Sequence, residues 1–383
     1  MSRKWLYVFI LLGLTSLTAD MVYEGGRSVG GSYIEFLGGS AIASAIASSG
    51  DLIGYGLRFV SAFLASVFAS SAIFWGFTIF GYAITALSIP LLSYASSWQW
   101  ATTLILLERV GKGIRSPVRD VILAEVSEKI GRGKGFGIHE LMDQIGAVGG
   151  PVIVSVVLAF YGYRVAFAAL LIPGVASIAF ILTSYALYPT IKAVEISPPR
   201  IGFRGMGKRF WIYIASMTFL SLGYIHWMVI SYYLRYWNVL TDAEIALAYM
   251  LAMLTDAAIA VPIGVMYDKL KFRSLYIAPP SALGAALILL LNAANPNKIM
   301  AYVSAALWGV TMGCFETIMR ASIADILPPE RRAMGYGIFG LIYGISWTVG
   351  AFVFVFLLQT SITFAATYVV LMQCLSIALL TMI

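Results

Sequence analysis

Charged residues divide this chain into long apolar segments. None of Asp, Glu, Lys or Arg occurs in residues 59–107, 165–191, 274–297 or 333–383. A helix of about 20 apolar residues crosses a bilayer, so the first and last runs are each long enough for two crossings and the other two for one. The pattern therefore predicts an all-α protein that crosses a membrane several times.

Gly, Pro and charged residues between the apolar runs set the helix boundaries. They predict twelve transmembrane helices, at residues 5–30, 38–66, 70–94, 98–122, 134–160, 164–188, 210–236, 242–267, 273–294, 298–325, 333–357 and 362–382. The basic start followed by apolar residues resembles a signal peptide. It lacks a small-x-small cleavage site, so we expect an uncleaved first helix.

The segment 189–209 has a different composition from the helices around it. It contains Pro198-Pro199 and the basic residues Lys192, Arg200, Arg204 and Lys208. This composition is typical of a linker. It predicts an N-terminal six-helix bundle at 1–188, a cytoplasmic linker at 189–209 and a C-terminal six-helix bundle at 210–383.

An internal repeat supports two similar halves. Arg115 and Asp120 recur 205 positions later as Arg320 and Asp325. Four residues recur 200 positions later: Gly135, Gly137, Ile138 and Gly150 correspond to Gly335, Gly337, Ile338 and Gly350. Both halves run in the same direction, so the repeat is parallel, a plan that secondary transporters use.

Composition and charge agree with membrane insertion. The 383 residues are 60% hydrophobic and 11% charged, with a mean hydropathy of +0.88, whereas soluble domains are about 25% charged. Of the 25 Lys and Arg residues, about 19 fall on the side of the termini and the linker, which the positive-inside rule places in the cytoplasm. We therefore expect a multi-pass cell-membrane protein. The same asymmetry explains the net charge of +7 without a nucleic-acid partner.

The two cysteines, Cys314 and Cys374, lie in apolar stretches. They offer neither a disulfide framework nor metal-ligand spacing. We expect no cofactor and no resident metal, and we interpret the protein as a monomer.

Ionisable residues inside predicted helices are costly in lipid and usually functional. Asp20 and Glu24 lie four residues apart on one helix face. Asp256 is the repeat mate of Asp51, 205 positions later. An Arg that moves toward or away from Asp20 or Asp51 would change the affinity of that carboxylate for a proton. We predict a proton-coupling or substrate cavity formed by Asp20, Glu24, Asp51, Arg58, Arg109, Asp143, His226 and Asp256.

Other charged residues fall near the predicted cytoplasmic helix ends. We expect inter-helix salt bridges that hold one gate state, formed by Arg115, Arg119, Asp120, Asp268, Lys269, Arg273, Arg320 and Asp325. His139 and Glu140 are interpreted as structural. Several aromatic residues could line an amphipathic cavity, although aromatic residues at this depth more often pack: Tyr23, Tyr55, Tyr224, Trp227, Tyr232 and Trp347.

Three motifs resemble the major facilitator superfamily (MFS), over the whole chain. GVMYDKLKFR, from Gly264 to Arg273, matches the superfamily's loop between the second and third helices of a half. The first-half copy departs from it, because Ala62 and Ser66 replace Gly and Asp. Arg109 followed by Gly111 matches the fourth-helix arginine.

The third motif is the fifth-helix pattern G-x8-G-x3-G-P. It is matched by Gly137, Gly146, Gly150 and Pro151, while Val154-Ser155 replaces the usual trailing Gly-Gly. In the superfamily this pattern is associated with exporters that exchange substrate for protons. GKGIRSPVRD, at 111–120, resembles a block in prokaryotic members. The four motif residues are also expected to form a hinge, since small residues allow close helix packing and Pro151 permits a bend.

The resemblance implies a secondary transporter with alternating access, and most simply proton-coupled export of a small organic solute. Uptake or efflux of a metabolite or metal ion is the alternative, with Asp20, Glu24, Asp51, His226 and Asp256 as hard ligands. A lipid-acting membrane enzyme is a rival of another class. The sequence suggests no Ser-His-Asp arrangement or His-rich metal signature for it, and only two histidines occur. A purely structural or receptor protein would not need charge at the bilayer centre.

Overall fold

Sixteen α-helices and short 3₁₀ and π segments make up the secondary structure in the computed structural model, which describes residues 4–68, 70–191 and 206–383. No β-strand occurs in those residues, so the all-α prediction is confirmed. The linker residues Lys192, Arg200 and Arg204 and the N-terminal Arg3 lie outside the described ranges.

The helices fall on the predicted segments except Gly30–Phe36, which is helical where a loop was predicted between the first two helices. They are α1 (Lys4–Ser28), α2 (Gly30–Phe36), α3 (Ala41–Ser48), α4 (Gly50–Phe68), α5 (Ser71–Ser88), α6 (Trp98–Val126), α7 (Arg132–Ala169), α8 (Leu171–Leu187), α9 (Gly207–Gly223), α10 (Trp227–Tyr236), α11 (Asp242–Leu270), α12 (Ala278–Ala294), α13 (Lys298–Cys314), α14 (Arg320–Ile326), α15 (Pro329–Thr360) and α16 (Ile362–Leu380). Inside α7, Gly162 has φ of 73° and separates the two helices predicted there.

Several predicted helices are interrupted, which the apolar pattern did not indicate. Val29 leaves helical geometry at the end of the segment predicted as 5–30, before α2. The segment predicted as 38–66 breaks at Ser49, between α3 and α4. The segment predicted as 210–236 breaks at Tyr224–His226, between α9 and α10. The segment predicted as 298–325 contains a π-helix at Phe315–Met319. Interrupted helices expose backbone polar groups, and in membrane proteins they are tolerated inside protein or along cavities.

Side-chain caps define several helix starts. The Ser70, Ser97 and Asn297 side chains accept the free amides that begin α5, α6 and α13. Thr241 and Glu244 form a reciprocal capping box at the start of α11. Each cap satisfies a donor that lipid could not satisfy, which explains why these helices begin within a few residues of the predicted positions.

The chain forms two compact units. One comprises residues 1–28 and 53–198, and the other comprises residues 29–52 and 199–383. Residues 29–52, which the sequence assigned to the N-terminal bundle, thus pack with the second unit. The predicted boundaries at 188 and 210 remain a proposal about the repeat.

The first unit is built on α1. This helix packs along α7 and α8, while α5 packs along α6. Close packing begins at one end of the unit, where Val8, Leu12, Phe74, Ile122 and Leu123 are fully buried. Toward the middle of the unit, the same helices carry ionisable side chains.

The second unit combines the segment 29–52 with the C-terminal helices. Here α2 and α3 pack on α10, α3 also packs on α15, and α9 packs on α15 and α16. α13 packs between α11 and α12. Trp227, Trp308 and Tyr249 are fully buried among these helices.

Repeated glycines make equivalent contacts in each unit. A Cβ at Gly150 would clash with the Met21 carbonyl of α1, and a Cβ at Gly350 would clash with the Leu222 carbonyl of α9. Likewise, Gly135 lies against Ser127, and Gly335 lies against Leu327. Met21 and Leu222 are 201 positions apart, and Ser127 and Leu327 are 200 positions apart. The repeat in the sequence is therefore also a repeat of helix packing.

The surface of the chain suits lipid. Phe160, Ile172, Val261 and Ile299 are each about three-quarters exposed. Eight stretches of the described chain are long and apolar enough to span a membrane, and two of them, Gly133–Leu187 and Asp242–Ala294, exceed 50 residues. The chain is therefore a multi-pass membrane protein. The predicted spans at 38–66 and 98–122 do not belong to these stretches. The second of them corresponds to α6, which carries much of the buried charge.

Candidate functional site

A row of polar residues runs along one face of α1. Ser16, Asp20, Tyr23 and Glu24 follow each other at helical spacing, and all four are buried. This face is turned toward α7 and α6. Gly146 of α7 allows the approach, because a Cβ there would lie 2.8 Å from the Cβ of Asp20.

A matching row of basic residues runs along α6. Arg109, Lys112, Arg115 and Arg119 are spaced by three or four positions and therefore share a face. Lys112 Nζ donates a hydrogen bond of 2.5 Å to the Tyr23 hydroxyl and lies 3.7 Å from the centre of its ring. The Arg109 guanidinium lies 5.1 Å from the centre of the same ring. Tyr23 thus contacts two cations.

Thr85 of α5 connects two further charged groups of α6. Arg115 Nη1 donates to Thr85 Oγ1 at 2.5 Å, and Thr85 donates to Glu108 Oε1 at 3.4 Å. Glu108 also pairs with Arg109 at 3.1 Å. The buried Arg115 lies over the Tyr82 ring at 4.5 Å. Arg115 was predicted to form an inter-helix salt bridge, and in the structure its hydrogen bond to Thr85 connects it to the carboxylate of Glu108.

Arg119 is held by residues of three helices. Its Nη1 donates to Ser16 Oγ at 2.8 Å and to His139 Nε2 at 2.9 Å, and it lies 3.9 Å from Asp143 Oδ2. Its Nε donates to Asp120 Oδ1 at 2.9 Å. Because a guanidinium only donates, His139 Nε2 accepts, and the ring is neutral with its proton on Nδ1.

We call these residues the polar seam: Ser16, Asp20, Tyr23 and Glu24 of α1, Arg109, Lys112, Arg115 and Arg119 of α6, and His139 and Asp143 of α7. Asp20 interacts electrostatically with Asp143, Lys112, Glu24 and Arg115, so it links the two ends of the seam. The predicted division between cavity and gate does not hold along it, since Asp143 lies with the gate residue Arg119.

Ser16, His139 and Asp143 come together, although the sequence suggested no Ser-His-Asp arrangement. Ser16 Oγ lies 3.0 Å and Asp143 Oδ1 lies 3.7 Å from the same nitrogen, His139 Nε2. A catalytic triad needs the carboxylate on Nδ1 and the hydroxyl on Nε2. Nδ1 here is buried without a hydrogen-bond partner, and Nε2 already accepts from Arg119. The three residues therefore lack the geometry of a nucleophilic site.

The second unit brings Asp51 and His226 together. His226 Nε2 lies 2.9 Å from Asp51 Oδ2, and His226 Nδ1 accepts the Met228 amide at 3.1 Å. The ring packs on the indole of Trp347, with centroids 4.5 Å apart. Two predicted site residues from distant sequence positions thus make direct contact.

Aromatic side chains surround this pair as packing. Tyr224 stacks on Trp308 and on Trp347 at 5.3 Å in both cases, and its hydroxyl donates to the Trp308 carbonyl at 2.9 Å. All three are almost fully buried. Packing, the simpler of the two interpretations of these aromatic residues, is therefore what the structure shows for Tyr224, Trp227 and Trp347.

Asp256 and Arg58 are the remaining predicted cavity residues. Asp256 is buried on α11, where its carboxylate faces α13 near Gly313 and Cys314. Arg58 is half-buried on α4 with its guanidinium 5.3 Å from the Tyr55 ring. Within the described ranges, no three His, Cys, Asp or Glu residues are grouped so that they could hold a metal ion.

The second-half gate residues differ from the prediction. Asp268, Lys269 and Arg273 are exposed. Asp325 pairs with Lys271 at 3.2 Å and accepts from the Tyr267 hydroxyl at 3.1 Å. Arg320 is exposed and lies 5.7 Å from the Phe315 ring centre. Lys271, the cation that pairs with Asp325, lies two positions after the predicted gate residue Lys269.

An ionic cluster that the sequence did not indicate lies at the end of α10. Arg235 binds Glu35 of α2 through Nε and Asp242 of α11 through Nη1. Both contacts border a cavity of about 530 Å³, lined also by Tyr236, Asn238 and Lys298. The cluster fastens α2 to the second unit.

Two of the predicted hinge glycines pack as expected. Gly146 and Gly150 meet the backbone of α1. Gly137 has open space around it, so close packing does not explain that position. Pro151 lies inside α7, and the non-helical residue of this segment is Gly162 instead.

The most informative residue missing from the predicted site is Lys112. Its three-residue spacing from Arg109 and Arg115 puts all three on one helix face. That spacing was the available signal. Its partner Tyr23 could not be identified, because the contact joins helices 89 positions apart in sequence.

The sequence of this chain is similar to those of several known proteins. The family model of the Major Facilitator Superfamily matches residues 212–383. An uncharacterized protein of Mycobacterium tuberculosis is 31% identical over 385 residues, covering 98% of this chain and 92% of that protein. An uncharacterized MFS-type transporter of Methanocaldococcus jannaschii is 23% identical over 282 residues, covering 70% of this chain and 68% of that protein.

Solved transporters share the fold. A peptide transporter matches with a TM-score of 0.79 at 14% identity, covering 97% of this chain and 93% of that one. A nucleoside transporter matches with a TM-score of 0.76 at 13% identity and covers 98% of each chain. Residues 212–383 therefore resemble the Major Facilitator Superfamily in sequence, and the chain as a whole shares the fold of solved transporters.

Proposed function

We propose that the protein is a secondary active transporter that exports a small organic solute in exchange for protons by alternating access. Its two six-helix halves would supply twelve spans in the cell membrane of a prokaryote, and the protein would work as a monomer. Both termini would be cytoplasmic, as the distribution of basic residues suggests.

The observation that carries this proposal is the polar seam. Charged groups in lipid-embedded helices are costly, and they persist when they pair with one another and serve transport. A purely structural set of ion pairs would need fewer ionisable groups than the polar seam contains. Asp20 interacts with a cation of α6, Lys112, and with a second carboxylate, Asp143 of α7. Gaining a proton would weaken the attraction to Lys112 and the repulsion from Asp143, so it would change the contacts with both helices.

The fifth-helix motif links the export proposal to the structure, because in the resembled superfamily it is associated with exporters that exchange substrate for protons. Gly146 and Gly150 place α7 in backbone contact with α1, the helix that carries Asp20. A change in the α1–α7 packing would therefore move this carboxylate relative to Asp143. This contact is a physical route from proton binding to helix movement.

A two-stage experiment tests the proposal. A thermal-shift screen of purified protein against a solute panel first identifies a stabilising solute. Proteoliposomes loaded with the pH dye pyranine then receive that solute outside. Exchange for protons predicts that the interior becomes more alkaline, whereas symport predicts acidification.

Matched variants test the assigned residues. We expect Asp20→Asn to reduce solute-driven proton movement at least tenfold, because the amide cannot carry a proton. Glu128→Gln is the control, since this carboxylate is exposed and lies outside the predicted site and gate, and its flux should stay within twofold of wild type. Solute flux without proton movement in the wild type, or full coupled flux in Asp20→Asn, would contradict the proposal.

The alternatives receive less support. Within the described residues no three His, Cys, Asp or Glu side chains are grouped as metal ligands, and metabolite uptake differs from the proposal in direction. For a lipid-acting enzyme, the Ser16, His139 and Asp143 cluster would be the natural centre, and its geometry is unsuitable. We propose that the protein has no enzymatic activity.

A further inference from the structure

His226 occupies the interruption between α9 and α10. Its backbone is extended, with φ of −68° and ψ of 141°, and its side chain caps α10 by accepting the Met228 amide on Nδ1. An imidazole is an unusual cap, since Ser, Thr, Asp and Asn are the preferred residues. The choice of a titratable cap at a helix interruption suggests a role beyond the cap itself.

The cap fixes which nitrogen carries the proton. Because Nδ1 accepts an amide hydrogen, it is unprotonated, and the proton of the neutral ring is on Nε2. Nε2 lies 2.9 Å from Asp51 Oδ2, so it donates to this carboxylate. Two hydrogen bonds in opposite directions therefore hold the ring, one to the backbone of α10 and one to the side chain of α4.

The surroundings leave the ring little freedom. It is 2% exposed. From α15 the group against it is the Trp347 indole, and the charged group that faces it from α4 is Asp51. Rotating the ring would break both hydrogen bonds, so its orientation and tautomer are set together.

The helix that His226 caps is attached to the segment 29–52 at further points. Gly31 of α2 lies so close to α10 that a Cβ would clash with the Met228 carbonyl. Arg235, in the last turn of α10, binds Glu35 of α2. The Asp51 contact is the attachment at the first turn, and its strength depends on whether this carboxylate is charged.

We propose that His226 is a positioning residue that couples the protonation of Asp51 to the attachment of α10. This inference rests on the proposed proton-coupled transport. An ionised Asp51 accepts a charge-assisted hydrogen bond, which is roughly twice as strong as a neutral one. When Asp51 gains a proton from water, the charge-assisted hydrogen bond from His226 is replaced by a weaker, neutral one. Moving the ring proton to Nδ1 cannot compensate, because this tautomer would lose the Met228 cap.

Two substitutions separate the two contacts of the ring. In His226→Asn the short amide can cap α10 in place of Nδ1 and cannot reach Asp51. In His226→Gln the longer amide can donate to Asp51 in place of Nε2, and Gln is a poor cap. The proton movement of both variants is measured in pyranine-loaded proteoliposomes from pH 5 to pH 9.

We expect His226→Gln to keep the pH midpoint of wild-type transport while its melting temperature falls. We expect His226→Asn to keep the melting temperature while the pH midpoint rises by about one unit, since a hydrogen bond that stabilises the charged carboxylate is lost. A wild-type pH midpoint in His226→Asn would overturn the proposal, because a purely structural cap would give that result.

A second measurement does not depend on transport. The chain contains two histidines, so ¹⁵N-histidine NMR in lipid resolves each ring, with His139→Gln as the assignment variant. We expect the Nε2–H tautomer for His226 and the Nδ1–H tautomer for His139. If transport proves independent of protons while His226 shows Nε2–H, the proposed function fails and the geometry stands. An Nδ1–H or cationic His226 at pH 7 would overturn the inference directly.

Discussion

Gly150 offers the sharpest test of the packing between α1 and α7. In Gly150→Ala the added methyl would clash with the Met21 carbonyl oxygen and would lie 2.8 Å from the Gly25 amide nitrogen. Both atoms belong to backbone, so no side-chain rotation relieves the contact and the helices must separate. Inserting a methyl group into such a site costs about 1–3 kcal/mol. At about 2 °C per kcal/mol, the clash alone should lower the melting temperature by about 2–6 °C.

Gly137→Ala is the matched control in the same helix. The space around Gly137 is open, so the methyl meets nothing and the helix gains about 1 kcal/mol of intrinsic propensity. The same gain applies at Gly150, so the difference between the two variants isolates the clash. Fluorescence-detected unfolding in detergent measures both. If Gly150→Ala were as stable as Gly137→Ala, the close α1–α7 contact would be wrong.

Three further predictions concern the charged contacts. Arg119→Ala leaves the buried Ser16 and His139 and the partly buried Asp143 without their donor and should cost about 3–5 kcal/mol, seen as loss of folded protein in size-exclusion chromatography. Lys271→Ala, which removes a pair with half-exposed side chains, should cost below about 1 kcal/mol and leave the elution unchanged. Tyr23→Phe and Lys112→Met should show a coupling energy of about 0.5–3 kcal/mol in a double-mutant cycle of unfolding, and additive effects would exclude their hydrogen bond. Arg235→Lys should lower the melting temperature, because an ammonium cannot replace the planar fork that binds Glu35 and Asp242, and an unchanged value would show that the two contacts are not both made.

The helices were predictable because lipid imposes a simple rule. An apolar stretch must be helical in a bilayer, and its boundaries carry Gly, Pro, charge or a capping side chain such as Thr241. The interruptions at Val29 and His226 were not predictable by this rule. Neither residue is a typical helix breaker, and the His226 cap depends on Asp51, which is 175 positions away in sequence.

The sequence predicted several residues of the candidate site, but it did not predict which of them contact one another. The expected cost of burial identified Asp20, Asp51, Arg109, Asp143 and His226, and each is held by other polar or aromatic groups in the structure. Position along each helix was then used to separate gate residues from cavity residues. Asp143, assigned to the cavity, lies beside the gate residue Arg119 in the structure. The contacts depend on how α1, α6 and α7 are rotated about their axes. A sequence without packing information does not determine these rotations.

The two halves use one backbone plan for different chemistry. Glycines at equivalent positions make the same helix contacts in both units, and Tyr23 corresponds to Tyr224, 201 positions later. At the same offset as those glycines, however, His139 and Asp143 of the polar seam correspond to Phe339 and Tyr343. These two rings pack on Phe315 in the second unit, with Phe315 and Tyr343 centroids 4.2 Å apart.

This difference decides where a proton can be held within each unit. An aromatic cluster at those positions of the second unit has no carboxylate, whereas the same positions in the first unit carry Asp143 and the neutral His139 beside Arg119. The second unit places its titratable pair elsewhere, at Asp51 and His226, where α4 meets the start of α10. Proton-dependent changes should therefore act on α1 and α7 in the first unit and on the attachment of α10 in the second. Two sites with separate helix partners explain why single substitutions such as Asp20→Asn and His226→Asn are expected to alter transport in different ways, the first by abolishing coupled flux and the second by shifting its pH dependence.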